Sequence, residues 1–489
     1  MLKKVLLIVL TAAWLLSGPL TGNALAQEPA ADPVAQAATA AGNAQVAADT
    51  AYMLLCSALV LLMTPGLAFF YGGFVRSRNV LNTMMMSFIL MALVGTTWIL
   101  WGYSLAFAPG NAFIGGLQWF GLNGVGLETT GYLPQMSLPN SGDLASYAPI
   151  PHQAFMIYQA MFAIITPALI SGAIVERINF RAYFLFVLLW STFIYAPLAH
   201  MVWAKGGLIG LYGGFGALDF AGGTVVHISS GFSALVATLM IGPRKNYPSQ
   251  ITPPHNVPYI LLGAGLLWFG WFGFNAGSAL ASGPLATVAF VSTNCGAAGG
   301  ALTWVILEWA LIGKPTAVGV ATGLVAGLVG ITPAAGFVTP LAGLLIGAIT
   351  AFCCFWAIRI KNKMQVDDSL DTYTVHGVGG TIGALLAGVF ATKLVNAAGA
   401  NGLLFGDTGQ LFVGNDPSQM LKQIGGILIA YVFAGVGTFI ILKILAATVG
   451  LRVNPEVEYQ GVDISEHGEE AYGPEFAGGM SSQVSSATE

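Results

Sequence analysis

Two histidines of this sequence lie within stretches that are apolar enough to cross a lipid bilayer. His227 belongs to the stretch DFAGGTVVHISSG, and His376 belongs to the stretch DDSLDTYTVHGVGG. Ionisable side chains are costly in hydrocarbon, so an intramembrane histidine is a candidate for function. Paired neutral imidazoles can share one hydrogen bond and leave their polar edges facing a lumen. The alternative for either histidine is a buried side chain that a structural neighbour satisfies.

Asp219 lies just before the apolar run that contains His227. A carboxylate there can accept hydrogen bonds from the free N–H groups at the start of a helix, which is a structural role. It can also place negative potential near the entrance of a pathway for cations. The two roles are compatible with each other.

A metal site is the competing interpretation of the two histidines. Zinc needs at least a third protein ligand, and the sequence contains neither H-E-x-x-H nor a suitably spaced cysteine or carboxylate. The four cysteines all fall inside apolar runs and predict small core residues without a disulfide framework. We therefore expect no metal, no cofactor and no enzyme activity, with an intramembrane metalloenzyme as the alternative.

Aromatic side chains and one serine recur at helical spacing in three further apolar runs. Such stripes are more often core packing or an interfacial belt. The sharper hypothesis is an aromatic cage with a hydroxyl acceptor, which suits a small cation that carries N–H donors. The residues are Tyr158 and Phe162 at i and i+4, Trp271, Phe274 and Ser278 at i, i+3 and i+7, and Trp203.

The composition is that of a polytopic membrane protein. The chain of 489 residues is 56% hydrophobic and only 8% charged, whereas soluble proteins carry about 25% charged residues. Too few charges remain to coat a soluble globule of this size. The net charge of −4 argues against a nucleic-acid partner.

Eleven apolar runs after residue 50 are long enough to cross a bilayer. Lysine and arginine cluster in every second loop, after the odd-numbered runs, and the other loops hold only Lys205, Lys393 and Lys422. The positive-inside rule makes the basic loops cytoplasmic, with the mature N-terminus outside and the C-terminus inside. The predicted spans are 51–72, 80–107, 153–175, 182–204, 222–242, 257–280, 285–312, 316–334, 339–359, 374–396 and 422–447.

The two histidine stretches echo each other in the fifth and tenth spans. Asp219 precedes His227 by eight residues and Asp371 precedes His376 by five, and each histidine follows a valine. Because five spans is an odd number, the second set enters the membrane from the opposite face, as in an inverted repeat. The histidines would then approach each other near the midplane, and the eleventh span would lie outside the repeat. The alternative is coincidence between two glycine-rich helices.

The termini lie outside the span region. Residues 1–26 have the basic start, short apolar core and A-x-A site of a cleaved signal peptide. An uncleaved first span is the alternative. Residues 27–49 are alanine-rich and polar, typical of a flexible extracytoplasmic leader. The transporter domain is predicted at 50–448 and a polar, acidic cytoplasmic tail at 449–489, with disorder at its end.

The sequence from about residue 50 to 473 closely resembles the ammonium transporter, methylammonium permease and Rhesus family, and its bacterial ammonium transporters most. DFAGGTVVHISSG looks like the family signature. FFYGGFVRSRNVLNTMMMSF, GWFGFNAGSA and DDSLDTYTVHGVGGTIG support the resemblance. It implies an all-α, multi-pass membrane protein with eleven transmembrane helices, a 5+5 inverted repeat plus one helix, and a pore in each subunit of a homotrimer.

The resemblance also implies roles for individual residues. Tyr158 departs from the pattern, because many bacterial members carry phenylalanine at this recruitment-site position. The implied substrate-binding residues are Phe162, Trp203, Ser278, Asp219 and Tyr158. The implied gate is the stacked pair Phe162 and Phe274. The implied pore residues are the twin histidines His227 and His376, with Trp271 and Thr332.

The implied activity is the recruitment of ammonium or methylammonium outside, deprotonation, and conduction of ammonia into the cytoplasm. The implied location is the bacterial inner membrane, in contact with its lipid. The tail stretch EYQGVDISEHGEEAYG, 458–473, resembles the family's C-terminal segment, which couples subunits in relatives. The cytoplasmic face of relatives binds PII-type regulatory proteins. An ammonium sensor or a neutral-gas channel of the same family stays an alternative.

Overall fold

The computed structural model describes residues 33–128, 150–249 and 252–473. The predicted signal peptide and the end of the tail beyond residue 473 lie outside the described residues. The chain divides into two units, residues 1–45 and 46–489. The described part of the first unit is helical, and the site described below lies within the second.

The structure consists of helices joined by loops, and the described residues contain isolated β-bridges but no strand. In the described residues, ten long apolar helices and a shorter apolar one, α8, make up α1 to α11, and two short helices, α12 and α13, follow them. Their bounds are α1 Pro33–Phe74, α2 Ser77–Phe107, α3 His152–Ile174, α4 Phe180–Trp203, α5 Gly223–Ile241, α6 Val257–Ala279, α7 Pro284–Ile312, α8 Ala317–Ile331, α9 Pro340–Lys363, α10 Tyr373–Phe390, α11 Ser418–Thr448, α12 Pro455–Gln460 and α13 Val462–His467.

The predicted all-α membrane fold is confirmed. Within the described ranges, ten helices are long and apolar enough to span a membrane. The eleventh, α8, is equally apolar but has only 15 residues, and it coincides with the predicted span 316–334. Each predicted span overlaps one of these helices, because a long apolar run has to satisfy its backbone polar groups internally.

The extracytoplasmic leader expected at 27–49 stays a prediction, and its described residues are helical. Helix α1 begins at Pro33 and runs without a break to Phe74. Alanine has the highest helix propensity of all residues, so an alanine-rich segment that adjoins an apolar helix readily extends it. The side of the membrane on which this segment lies stays a prediction.

Helices α5 and α10, which carry the two histidines, both begin with a π-helical turn. The turns span Gly223–Ile228 and Tyr373–Val378, and each contains its histidine. A π-turn widens the helix by one residue and often occurs at functional sites. Here it gives the two helices the same local geometry around the histidines.

The two helices cross in close contact, which glycine makes possible. A Cβ atom added at Gly231 would overlap the backbone of Gly377, and one added at Gly380 would lie 2.9 Å from Cβ of His227. Small residues allow helix backbones to approach each other in membrane proteins. The crossing therefore brings the two histidine turns side by side.

The ends of α1, α3, α5 and α9 meet at one face of the protein, which we call the basic face. Glu176, which is 2% exposed, accepts hydrogen bonds there from N and Nε of Arg76, from Nδ2 of Asn79 and from Nη1 of Arg244, at 2.6 to 3.1 Å. Asp367 pairs with the other side of the Arg244 guanidinium at 2.7 Å. Burial alone would raise the pKa of Glu176, but Arg244 and Arg76 outweigh it and lower the pKa to about 2.

The two short C-terminal helices pack against this basic face. The Asp463 carboxylate accepts hydrogen bonds from the backbone N–H groups of Leu81 and Asn82 at 3.0 and 2.8 Å, near the start of α2. His467 contacts the Asn82 side chain at 2.9 Å. A carboxylate near the N-terminus of a helix satisfies its free donors. The part of the tail up to residue 473 is therefore an ordered element of the fold.

We predict that Glu176→Gln destabilises the protein. The change leaves Arg76 and Arg244 without the charge that compensates them, and breaking a buried ion pair costs about 3 kcal/mol. Because the pKa of Glu176 is lowered in the fold, its contribution is present above the ordinary carboxyl pKa of about 4.3 and is lost only as the pH falls towards 2.

Thermal unfolding in detergent at pH 5 to 8 measures this difference. The exposed Glu456→Gln is the matched control. A melting temperature of Glu176→Gln equal to that of the control would show that the network does not stabilise the fold.

Candidate functional site

The two histidine side chains meet in the interior. The Nδ1 atoms of His227 and His376 lie 3.2 Å apart, and their rings are nearly parallel with centroids 5.2 Å apart. Both residues are buried, at 1% and 4% exposure. A contact between two Nδ1 atoms requires one to donate and the other to accept, so the neutral pair is asymmetric and the accepting ring carries its proton on Nε2. The Nε2 atom of His227 has no hydrogen-bond partner among the described residues.

A carboxylate holds the first histidine turn. Asp219 accepts four backbone hydrogen bonds, from Gly222 and Gly223 through Oδ1 and from Thr224 and Val225 through Oδ2, at 2.6 to 3.1 Å. These are the donors that the start of a helix leaves free. The contacts of Asp219 are those of the predicted helix cap. The capping hydrogen bonds fix the turn on which His227 lies.

The second histidine turn is held in the same way, but by Asp368. Its carboxylate accepts hydrogen bonds from the backbone N–H groups of Thr372 and Tyr373 at 3.0 and 2.7 Å. Asp368 precedes His376 by eight residues, the same separation as between Asp219 and His227. Pairing Asp219 with Asp371 in the sequence echo is therefore wrong, because the side chain of Asp371 instead forms an ion pair with Lys361.

Aromatic rings cover one side of the histidine pair. The rings of Trp271 and Phe274 stack against His227 with centroids 5.5 and 6.1 Å away. Phe162 then packs against Phe274 with ring centroids 4.3 Å apart and ring planes tilted by 38°. The indole Nε1 of Trp271 donates a hydrogen bond to Oγ1 of Thr332 at 2.8 Å, which fixes the ring that faces the histidine.

The remaining predicted residues cluster beyond Phe162, away from the basic face. The Trp203 ring meets Phe162 edge to face at 6.0 Å, and its Nε1 donates to the main-chain oxygen of Asp219. The Tyr158 hydroxyl lies within 3.2 Å of Oγ of Ser278 and donates to the carbonyl of Phe274 at 2.8 Å. The Tyr158 hydroxyl thus forms hydrogen bonds with the protein, while its ring packs against Phe162.

The structure therefore brings all ten predicted site residues into one connected group. A small cavity is lined by both histidines, and its other lining side chains are apolar or aromatic. A second small cavity shares His376 with the first, and a third, larger one opens among the arginines of the basic face. The three follow one another from the histidine pair to the basic face, because each neighbouring pair shares wall residues.

Gln423 on α11 is a positioning residue that sequence reasoning missed. Its carboxamide oxygen accepts a hydrogen bond from the backbone N–H of Leu218 at 2.6 Å, and its carboxamide nitrogen donates one to the backbone oxygen of Leu218 at 2.9 Å. The same nitrogen donates to O of Ala384 on α10 at 2.8 Å. Gln423 thus ties α11 to the residue before Asp219. A glutamine pair at i and i+4, Gln419 and Gln423, within an apolar run was the available signal.

The structure offers no support for a metal site in the part of the chain that it describes. No group of three or more histidine, cysteine, aspartate or glutamate side chains there could hold a metal ion. The four cysteines are free thiols.

Apolar helices of spanning length that enclose a buried polar pair define an α-helical, multi-pass membrane protein. The Ammonium Transporter Family model matches residues 51–472. The "Ammonium transporter" of Bacillus subtilis is 48% identical over 425 residues, which is 87% of this chain and 98% of that protein. The chain belongs to the ammonium transporter family, whose members are transporters and not enzymes.

Solved structures show the same fold. The crystal structure of Saccharomyces cerevisiae Mep2 superposes with a TM-score of 0.73 at 36% identity, over 85% of this chain and 89% of that one. A structure described as "Sensor Amt Protein" superposes with a TM-score of 0.73 at 27% identity, over 87% of this chain and 99% of that one. The same fold therefore occurs in a protein described as a sensor.

We predict that Gln423→Leu loosens the loop that carries Asp219. The change leaves the N–H and C=O groups of Leu218 buried without partners, at a cost of about 1 to 3 kcal/mol for each. Faster hydrogen–deuterium exchange over residues 217–226, measured by mass spectrometry, is the expected result. Gln410→Leu, at an exposed position, is the control. Unchanged exchange in that peptide would show that Gln423 does not hold the loop.

Proposed function

We propose that the protein transports ammonium by recruiting it at an aromatic site, deprotonating it and conducting ammonia past the twin histidines into the cytoplasm. The observation that carries the proposal is the His227–His376 pair, buried in an otherwise apolar cavity that leads towards the basic face. Membership of the ammonium transporter family supports the substrate.

The recruitment site is the cluster of Trp203, Phe162, Tyr158 and Ser278, with Asp219 behind it. Aromatic faces attract cations, and a desolvated contact of this kind stabilises a cation by about 2 kcal/mol. Ser278 offers a hydroxyl oxygen that can accept an N–H hydrogen bond. The capped carboxylate of Asp219 adds negative potential next to the site. Methylammonium fits the same description, because it keeps N–H donors and the positive charge.

Loss of the proton is the selective step. The packed rings of Phe162 and Phe274 leave no polar partner for a cation that moves inwards, and removal from water favours the neutral form of an ammonium ion. Ammonia can then pass the rings and exchange hydrogen bonds with the imidazoles, with Trp271 and Thr332 holding the wall. Potassium has a similar size but no proton to lose, so this pathway rejects it.

The basic face is the cytoplasmic side in this proposal, in agreement with the positive-inside rule. The protein then lies in the bacterial inner membrane with its mature N-terminus outside. We further propose a homotrimer with one pore in each subunit, and a PII-type regulatory protein as the partner of the cytoplasmic face. The ordered helices α12 and α13 on the basic face support a regulatory role for the tail.

A second candidate is an ammonium sensor, because a solved relative is described as one. A sensor would bind ammonium at the same aromatic site without appreciable flux. Transport measurements therefore separate the two functions.

We predict that replacing both His227 and His376 with leucine abolishes transport. Leucine fills a similar volume but offers no hydrogen bond, so ammonia would have to cross the apolar cavity without a polar partner. Uptake of radiolabelled methylammonium into vesicles measures the effect, and a fall of at least about a hundredfold is expected from a loss of roughly 3 kcal/mol. Full uptake by the double variant would refute the histidine pore.

The transported species is read from currents on a solid-supported membrane. A current upon addition of ammonium shows that charge crosses with ammonia, whereas uptake without current shows a neutral-gas channel. Absence of both in the wild-type protein, together with ammonium binding, would establish the sensor.

We predict that Trp203→Leu weakens recruitment more than it slows conduction. The change removes the ring that faces the bound cation and the hydrogen bond from Nε1 to the Asp219 carbonyl. The half-saturation concentration for methylammonium should rise about tenfold, in keeping with a loss of 1 to 2 kcal/mol, with little change in maximal rate. Trp356→Leu, at a position away from the cluster, is the control. A lower maximal rate at unchanged half-saturation would place Trp203 outside the recruitment site.

A further inference from the structure

The cavity between the histidine pair and the basic face contains one charged group. This cavity, here called the exit cavity, is lined by His376, Asp371 and Thr322, and otherwise by apolar or aromatic residues such as Phe70 and Val325. It lies on the route by which ammonia would leave the histidines. An acidic side chain on that route would by itself attract cations.

Lys361 neutralises this aspartate. The Nζ atom of Lys361 lies 2.5 Å from Oδ1 of Asp371, and it also donates a hydrogen bond to the main-chain oxygen of Asp368 at 2.9 Å. The side chain of Lys361 is 10% exposed and that of Asp371 is 32% exposed. The pair is therefore partly buried, and solvent screens it less than it would a surface pair.

The backbone holds Asp371 in place beside the cavity. Asp371 has a φ of +58°, a left-handed conformation that is uncommon for a residue other than glycine. Its carbonyl accepts hydrogen bonds from N of Val375 and Oγ1 of Thr374 at the start of α10. The aspartate and the turn that bears His376 are thus one local unit, and Lys361 reaches it from the end of α9.

The charge of the exit cavity decides which solutes can occupy it. With Lys361 present the pair has no net charge, so the cavity offers neutral ammonia a passage and offers small cations no counter-charge. Without Lys361, an unpaired carboxylate would face a largely apolar space, where the attraction for a monovalent cation is stronger than in water. A cation held there would obstruct the route below the histidines.

We propose that Lys361 is a specificity-determining residue of the pore exit, which prevents small monovalent cations of the cytoplasm from occupying the cavity beside Asp371. This assignment rests on the proposed function, because it needs the exit cavity to be the route of ammonia. It extends that function from selection at the entrance to selection at the exit.

The test uses the full-length protein in right-side-out membrane vesicles of a host without its own ammonium transporter. The vesicles are loaded with potassium chloride or with choline chloride at equal osmolarity, and uptake of radiolabelled methylammonium is compared. Wild-type uptake should be the same for both loads. Lys361→Met should be inhibited by internal potassium about fivefold, which corresponds to an attraction of about 1 kcal/mol between a monovalent cation and the unpaired carboxylate.

Three further variants make the result specific. The double variant K361M/D371N should lose the potassium inhibition, because the attracting charge is gone. Lys363→Met removes an exposed lysine from the same helix end and should behave as wild type. Lys361→Gln keeps a donor for the carbonyl of Asp368 and carries the same expectation as Lys361→Met, so the test stays decisive if Lys361→Met does not fold.

Two outcomes overturn the assignment: equal uptake with both loads in K361M and K361Q, or potassium inhibition that persists in K361M/D371N. Failure of the underlying function gives a different result. If the His227 and His376 double-leucine variant transports at full rate, the histidine pore itself is wrong. If that variant is inactive while K361M and K361Q stay insensitive to potassium, only the role of Lys361 is lost.

Discussion

The arrangement of the site depends on one kind of interaction, in which a buried carboxylate accepts hydrogen bonds from the free backbone N–H groups of a π-turn. Asp219 does this for the turn of His227, and Asp368 does it for the turn of His376. An unpaired backbone donor inside the protein costs about as much as a lost hydrogen bond, so each turn can exist within an apolar helix only if a local acceptor satisfies it. The acceptors make the two turns alike, and the glycine-lined crossing at Gly231 then brings the two imidazoles into contact.

The elements that the sequence predicted well are those set by local composition. Each span followed from an apolar run whose backbone must bond to itself in lipid, and the histidine pair followed from two similar stretches in opposed spans. The echo still assigned the wrong aspartate, because it paired Asp219 with Asp371, whereas the contacts select Asp368, which lies the same eight residues before its histidine. Alanine-rich residues before span one suggested flexibility, although their propensity favours the helix found from Pro33.

Contacts between residues distant in the sequence were beyond prediction. Glu176 meets Arg76 across a separation of 100 residues, and Gln423 meets Leu218 across 205. No periodicity in one helix reveals which side chain of another helix it will meet. These contacts give α11 a structural role, because its glutamines satisfy the backbone of the loop that leads to Asp219.

The distribution of charge along the proposed pathway follows from the same requirement, that a buried polar group needs a hydrogen-bonding or charged partner. The charged side chains next to the pathway are either capped by backbone donors, as Asp219 is, or paired with an opposite charge, as Asp371 is with Lys361. The histidines are the polar side chains left free to exchange hydrogen bonds with a passing molecule, and Nε2 of His227 has no partner among the described residues. In the proposed function, the part of the pathway from the Phe162 and Phe274 rings to the exit cavity has hydrogen-bonding capacity without net charge. That combination would stabilise a small, neutral hydrogen-bonding solute and give a bare cation nothing to replace its water, so selectivity against cations would be a property of the whole wall and not of one gate.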